Sequence, residues 1–231
     1  MTGKENMRVK ILRQKAPDTD PYWEQFEYDG PMENSVAGVI DYLNYNDDIR
    51  TIDGKSTGRI IWDCACLQGV CGACAMVING RPSLACETFL KNLKGKELVL
   101  QPLKKFPVIR DLSVDRSVIQ DNLTKANVYI DSYQGADARE HGRQYLVAKC
   151  LKCGLCLEVC PNYVSGRSFY GAVFANDCYL VSGRNSDKSK KIGDIYNRYF
   201  AGGCSKALSC MEVCPMSIPT IASIAKMNSS R

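Results

Sequence analysis

The 231-residue chain holds a single histidine, His141, and two tryptophans, and it nowhere reaches roughly 18 uninterrupted apolar residues. That missing run predicts no helix crossing a bilayer. The opening MTGKENMRVKIL lacks the apolar core and small-residue cleavage site of a secretory signal, so the expected compartment is the cytoplasm. The formal charge of +5 is spread along the chain without a dense basic block. Lys188 to Lys191, interrupted by serine, reads as a solvated loop and not as a nucleic-acid patch. No P-loop, GxGxxG or hydrolase elbow occurs, and no acid/base pair stands out. Substrate chemistry is therefore expected on another chain. His141, in AREHGRQ, reads as a surface residue in a polar loop ahead of a helix. Trp23 and Trp62 read as packing residues and not as electron relays.

Cysteine is abundant instead, at 13 residues. A disulfide framework suits small secreted domains, not a chain of this length without a signal. In a reducing compartment clustered thiols point to metal, and their spacing decides which metal. With 45% hydrophobic and 24% charged residues the rest reads as ordinary globular protein.

The first hundred residues read as a small α/β unit. Met7 to Arg13 and Tyr22 to Tyr28 alternate as strands across a turn rich in Pro and Asp. Ser35 is placed to cap a helix carrying Val36, Val39, Ile40 and Leu43 on one face. Asn79-Gly80 signals a hairpin, and Glu97 to Leu100 would close the sheet. Pro102 and Pro107 bracket a basic connector, giving expected domains at 1–106 and 107–231. Beyond it Ser117 to Tyr129, Arg143 to Lys149, Ser168 to Val181, Lys191 to Phe200 and Ser217 to Lys226 favour helix. The fold class is α+β, sheet first and helices second.

Cys66, Cys71 and Cys74 stand at C-x4-C-x2-C, with Cys86 following across the hairpin, which is the plant-type [2Fe–2S] spacing. Gly69 and Gly72 let the loop curl around a cluster, and backbone N–H groups aimed at sulfur would raise its potential. A four-cysteine zinc site is the competing reading, but zinc knuckles come as two C-x2-C halves. Cys64 is left over and is expected to be a buried structural thiol.

Cys150, Cys153, Cys156 and Cys160, closed by Pro161, form the bacterial-ferredoxin run C-x2-C-x2-C-x3-C-P. In such runs three thiolates hold one cluster and the fourth reaches a second. The partner run is Cys204, Cys210 and Cys214, followed by Pro215, with alanine at 207 where a fourth ligand would stand. The pairing rule gives Cys150, Cys153, Cys156 and Cys214 to a [4Fe–4S] site. Cys160, Cys204 and Cys210 then form a three-thiolate site suited to [3Fe–4S], or to a fourth iron ligated by water or hydroxide. Cys178 joins Cys64 outside the sites, as a core or helix-face residue.

CGACAMVING, FPVIRDLSVDRS, CLKCGLCLEVCP and CSKALSCMEVCP, in this order, resemble the iron–sulfur subunit of succinate dehydrogenase and fumarate reductase over nearly the whole chain. The resemblance implies a β-grasp ferredoxin-like domain followed by an α-helical ferredoxin domain. It also implies a flavoprotein partner bearing FAD, a membrane anchor handling quinone or menaquinone, and a peripheral place on the cytoplasmic side of the inner membrane. Leu67 and Gln68 stand where many members carry arginine and glutamate. Ser165 and Ser205 stand where many carry the tryptophan and histidine that help bind quinone. In this the chain is more similar to the branch whose anchor is a di-haem cytochrome b. Other flavoenzyme iron–sulfur subunits, of the glycolate oxidase or heterodisulfide reductase type, carry two full four-cysteine runs. A zinc-stabilised scaffold with no redox role is the alternative of a different class.

Overall fold

The computed structural model describes residues 6–130, 138–183 and 188–229. It divides into two compact units, Met1–Asp115 and Arg116–Arg231.

In the first unit alternation of apolar and polar residues makes strands of β1 (Met7–Arg13) and β2 (Tyr22–Tyr28), which pair antiparallel from Met7–Tyr28 to Arg13–Tyr22. Helix α1 (Val36–Asn44) begins where Ser35 Oγ accepts the Gly38 N–H at 3.3 Å, as the sequence predicts. Its Val36, Val39 and Ile40 are fully buried, as are Val9, Ile11 and Phe26. Burying each such side chain stabilises the fold by about 1.5–3 kcal/mol. Short strands β3 (Ile49–Arg50) and β4 (Ser56–Thr57) follow, then the cysteine loop and the hairpin β5 (Ala75–Ile78) and β6 (Arg81–Leu84). At the hairpin's tip Asn79 (φ 47°) and Gly80 (φ 79°) are both left-handed, the two-residue turn that matches strand twist. Strand β7 (Glu97–Gln101) runs parallel to β1 and antiparallel to β5, so the sheet order is β2-β1-β7-β5-β6.

The expected boundary at 106/107 precedes a further hairpin, β8 (Val108–Arg110) and β9 (Ser113–Val114). This segment stays with the first unit because Asp111 N–H donates to Gln14 O (2.8 Å) and Leu112 N–H to Ile61 O (3.0 Å).

The second unit is helical: α2 (Ser117–Lys125), α3 (Ala138–Ala148), α4 (Leu155–Glu158), α5 (Gly171–Ser182), α6 (Ser189–Tyr196), α7 (Ser209–Glu212) and α8 (Thr220–Ser229). A wider helical turn, Asn197–Ala201, continues α6. Helix α5 is buried nearly all round, with Phe174, Ala175, Cys178 and Tyr179 in a core shared with Ile192, Tyr196, Phe200 and Ile224.

Expectations for Cys64, His141 and the Lys188–Lys191 stretch are corrected. Cys64 is exposed, because it lies on an irregular loop outside the sheet. His141 is exposed as expected but sits within α3, not in a loop ahead of a helix. Lys190 and Lys191 belong to the first turn of α6, and the Lys188 ammonium rests 4.3 Å from the Tyr129 ring centroid, a cation–π contact that fixes it. Trp23 is 42% exposed, its ring covered in part by Lys10 at 4.6 Å.

Candidate metal centres

The loop Cys66–Cys74 turns through three left-handed residues, Leu67 (φ 55°), Gly69 (φ 72°) and Gly72 (φ 77°). That curl aims backbone N–H groups at sulfur: Gln68 to Cys66 Sγ (3.4 Å), Gly69 to Cys86 Sγ (3.3 Å) and Ala73 to Cys71 Sγ (3.4 Å). Cys86 reaches the loop from the far side of the hairpin, where Ala85 N–H donates to Cys74 O (3.1 Å). The thiols converge as two couples, Cys74 with Cys86 at 3.4 Å and Cys66 with Cys71. The Gln68 N–H, and then the Cys71 side chain, bring the Cys66 thiol down to about 7. Burial, and then Cys74, push Cys86 up to about 12.

Two couples are what two irons in a rhomb require. Four thiolates on one tetrahedral zinc would instead stand about 3.8 Å apart in a single group. Among the described residues no three Cys, His, Asp or Glu side chains close in as tightly as one bound ion demands.

In the second unit the two cysteine runs share much of their backbone hydrogen bonding. Leu157 N–H bonds Gly154 O and Met211 N–H bonds Leu208 O. Cys160 N–H bonds Leu157 O and Cys214 N–H bonds Met211 O. Tyr163 and Ser217 repeat the pattern onto Cys160 O and Cys214 O. The left-handed residues also match, Lys152 (φ 54°) and Gly154 (φ 86°) with Lys206 (φ 59°) and Leu208 (φ 62°). Each run ends in one short helix, α4 or α7. Ala207 therefore occupies the backbone position that Cys153 fills in the first run.

Cys150, Cys153, Cys156 and Cys214 line one cavity walled by Leu155, Val173 and Ile218. Burial pushes the thiols of Cys150, Cys153 and Cys156 upward, Cys153 to about 11. Cys214 adds to each rise, and Cys210 adds to that of Cys156. Cys210 also lines this cavity, but after burial its rise comes from Cys160 and then Cys204. Cys156 also feels Cys210, so the two sets of sulfurs adjoin one another at this wall. Ile218 N–H donates to Cys214 Sγ at 3.4 Å.

Asn176, 3% exposed on the cavity wall, bonds Thr220 Oγ1 at 3.0 Å through one amide atom, and its Oδ1 has no partner. The unpaired atom is a carbonyl oxygen, an acceptor, on the wall of the thiol-lined cavity. Sequence reasoning missed Asn176 and also the ion pair that Lys152, on the same wall, makes with Asp177. The recurrent lysine two residues after the first cysteine of each run was its visible trace. Cys178 is fully buried in the core, apart from the groups described.

A thiol-lined loop on a mixed sheet, followed by a doubled thiol run on a helical unit, defines an iron–sulfur protein. A family model described as "2Fe-2S iron-sulfur cluster binding domain" matches residues 8–121, and one described as "4Fe-4S dicluster domain" matches residues 146–218. The succinate dehydrogenase iron-sulfur subunit of Bacillus subtilis (strain 168) is 34% identical over 99% of this chain and 93% of its own length. The fumarate reductase iron-sulfur subunit of Wolinella succinogenes is 30% identical over 95% and 93%. A chain of the Mycobacterium smegmatis Sdh1 complex in the apo form has the same fold, with TM-score 0.76, 22% identity and coverage of 99% and 98%. The chain belongs to the family of succinate dehydrogenase and fumarate reductase iron–sulfur subunits. Its role there is electron transfer within an oxidoreductase complex.

Proposed function

We propose that Cys66, Cys71, Cys74 and Cys86 hold [2Fe–2S], that Cys150, Cys153, Cys156 and Cys214 hold [4Fe–4S], and that Cys160, Cys204 and Cys210 hold [3Fe–4S]. When bound, such clusters each accept and release one electron, which couples the two-electron chemistry of flavin and quinone. The two thiol couples of the first loop supply two ligands per iron. In the second unit the crossing of Cys160 and Cys214 between groups agrees with the mutual influence of the sulfurs. The observation that carries the three-iron assignment is the repeated backbone with alanine at 207. The curl of the second run is intact, so what is missing is a thiolate and not a loop.

The chain's partners in this reading are an FAD-bearing flavoprotein and a membrane anchor, a di-haem cytochrome b exchanging with menaquinone or another quinone. The names of the relatives, subunits of succinate dehydrogenase and fumarate reductase, support a multisubunit assembly. Ser165 and Ser205, in place of quinone-binding tryptophan and histidine, favour an anchor in which haem takes the electron. No helix among the described residues is long and apolar enough to cross a membrane, so the anchor would hold the chain peripherally, on the cytoplasmic side of the inner membrane.

Electron paramagnetic resonance of the purified complex tests the reading. The expected spectra are a [3Fe–4S] signal when oxidised and a [2Fe–2S] signal when reduced. Two [4Fe–4S] centres without a three-iron signal would overturn the role given to Ala207. Ala207→Cys should convert the oxidised three-iron signal into a reducible four-iron centre of lower potential, and an unchanged spectrum would count against the shared loop geometry.

A further inference from the structure

We propose that the Lys152–Asp177 ion pair sets the reduction potential of the site formed by Cys150, Cys153, Cys156 and Cys214, with Asp177 cancelling the lysine charge beside it. The inference rests on the reading that these four thiolates hold a [4Fe–4S] cluster. Lys152 lies between two of the thiols and lines their cavity. Its Nζ donates to both carboxylate oxygens of Asp177, which α5 brings to the loop. The carboxylate side chain is 13% exposed and the lysine 35%, so solvent screens the pair far less than it would a surface pair.

The pair is not needed to shape the loop. Lys206 occupies the matched position of the second run with nearly the same left-handed backbone, φ 59° against 54°. It is exposed and, among the described residues, no carboxylate pairs with it. A lysine at this position therefore holds its conformation without a partner. What Asp177 adds to the first run is a negative charge, fixed close to the cavity by a buried helix. Both residues act through the electrostatic field on the site and not as its ligands.

The sign follows from charge. One-electron reduction makes a cluster more negative, so a nearby cation favours the reduced state and a nearby anion opposes it. Asp177→Asn leaves Lys152 unopposed and should raise the midpoint potential of the four-iron centre. Lys152→Gln leaves Asp177 unopposed and should lower it. The double variant, neutral at both positions, should return towards the parent value. The measurement is a mediated redox titration of the whole assembled protein, with a chemical reductant supplying the electron and the reduced four-iron signal followed by electron paramagnetic resonance. The [2Fe–2S] midpoint is recorded alongside and should stay put.

Opposite shifts that cancel in the double variant support the proposal. An unchanged midpoint in both single variants, or shifts of the same sign, overturns it, because a purely structural pair would loosen the loop alike from either side. Should Asp177→Asn lose its cluster, Asp177→Glu and Lys152→Gln carry the test, with a parent-like midpoint expected for the first and a lowered one for the second. A parent protein lacking any reduced four-iron signal would overturn the ligand assignment and the inference together, whereas a signal that does not move overturns the inference alone.

Discussion

At Gly69 one residue must turn the chain left-handed and donate its N–H to Cys86 Sγ at 3.3 Å. A methyl group there would sit 2.8 Å from the Glu87 carboxyl carbon, on a backbone with φ 72°. Gly69→Ala should therefore cost about 1–2 kcal/mol in left-handed strain and displace the loop. The expected result is reduced [2Fe–2S] content by visible absorption, with the reduced four-iron signal preserved. Equal loss of both signals would show that the loop is not a local device. Cys64 gives a sharper contrast, being exposed and two residues from a proposed ligand. Cys64→Ser should leave the [2Fe–2S] spectrum unchanged and Cys66→Ser should alter or abolish it. The reverse pattern would move the ligand to position 64. Sequence reasoning took Cys64 as buried because lone cysteines usually are. Its exposure follows from the path of an irregular loop, which no local pattern encodes.

Short elements show where sequence periodicity loses its hold. Strands β1 and β2 and helix α1 are long enough for alternation or a capped stripe to be read directly. Strands β8 and β9 have three and two residues and offer no period, so the boundary could only be placed by proline. What fixes them is a buried charge. Arg13 Nε pairs with Asp111 Oδ1 at 2.9 Å and its Nη1 with Glu24 at 2.7 Å, while Nη2 donates to the carbonyls of Gly58 and Arg59. Asp111 in turn accepts the N–H groups of Gln14 (3.1 Å) and Ile61 (3.0 Å). Removing Asp111 leaves Arg13, 3% exposed, with Glu24 as its carboxylate partner, but takes the acceptor from the Gln14 and Ile61 N–H groups. Asp111→Ala should thus destabilise by about 1–3 kcal/mol, the cost of leaving buried donors unsatisfied. A urea transition followed by tryptophan fluorescence would read this as a lower midpoint, since Trp23 and Trp62 both lie in the first unit. A change under about 0.5 kcal/mol, typical of surface substitutions, would reduce the network to decoration.

Across the whole chain, the sites were more legible than their surroundings, because thiol spacing is short-range and charge partners such as Asp177 come from distant helices. The same thiols govern stability when no iron is bound. Burial, with neighbouring thiols adding to it, holds Cys153 at about 11 and Cys86 at about 12, against an ordinary thiol value of 9.0. Cys150, Cys156 and Cys210 move in the same direction for the same first cause. Tyr179, buried and hydrogen-bonded to Glu140 at 2.8 Å, is likewise raised, to about 12 from 10.0. A folded value above the unfolded one means that the unfolded chain gives up its proton first. The stabilising contribution is complete below pH 9 and is lost as pH rises through the folded values. Cluster-free chain should therefore melt at progressively lower temperature between pH 9 and about 12, read by circular dichroism. Cluster-loaded protein should resist that decline, because its ligands are already thiolates and loading has released their protons. Cys66, lowered to about 7, adds stability as pH rises from about 7 to 9 and is level above that. A cluster-free melting temperature that is flat or rising across this range would mean that the buried thiols are not held as neutral groups by the fold.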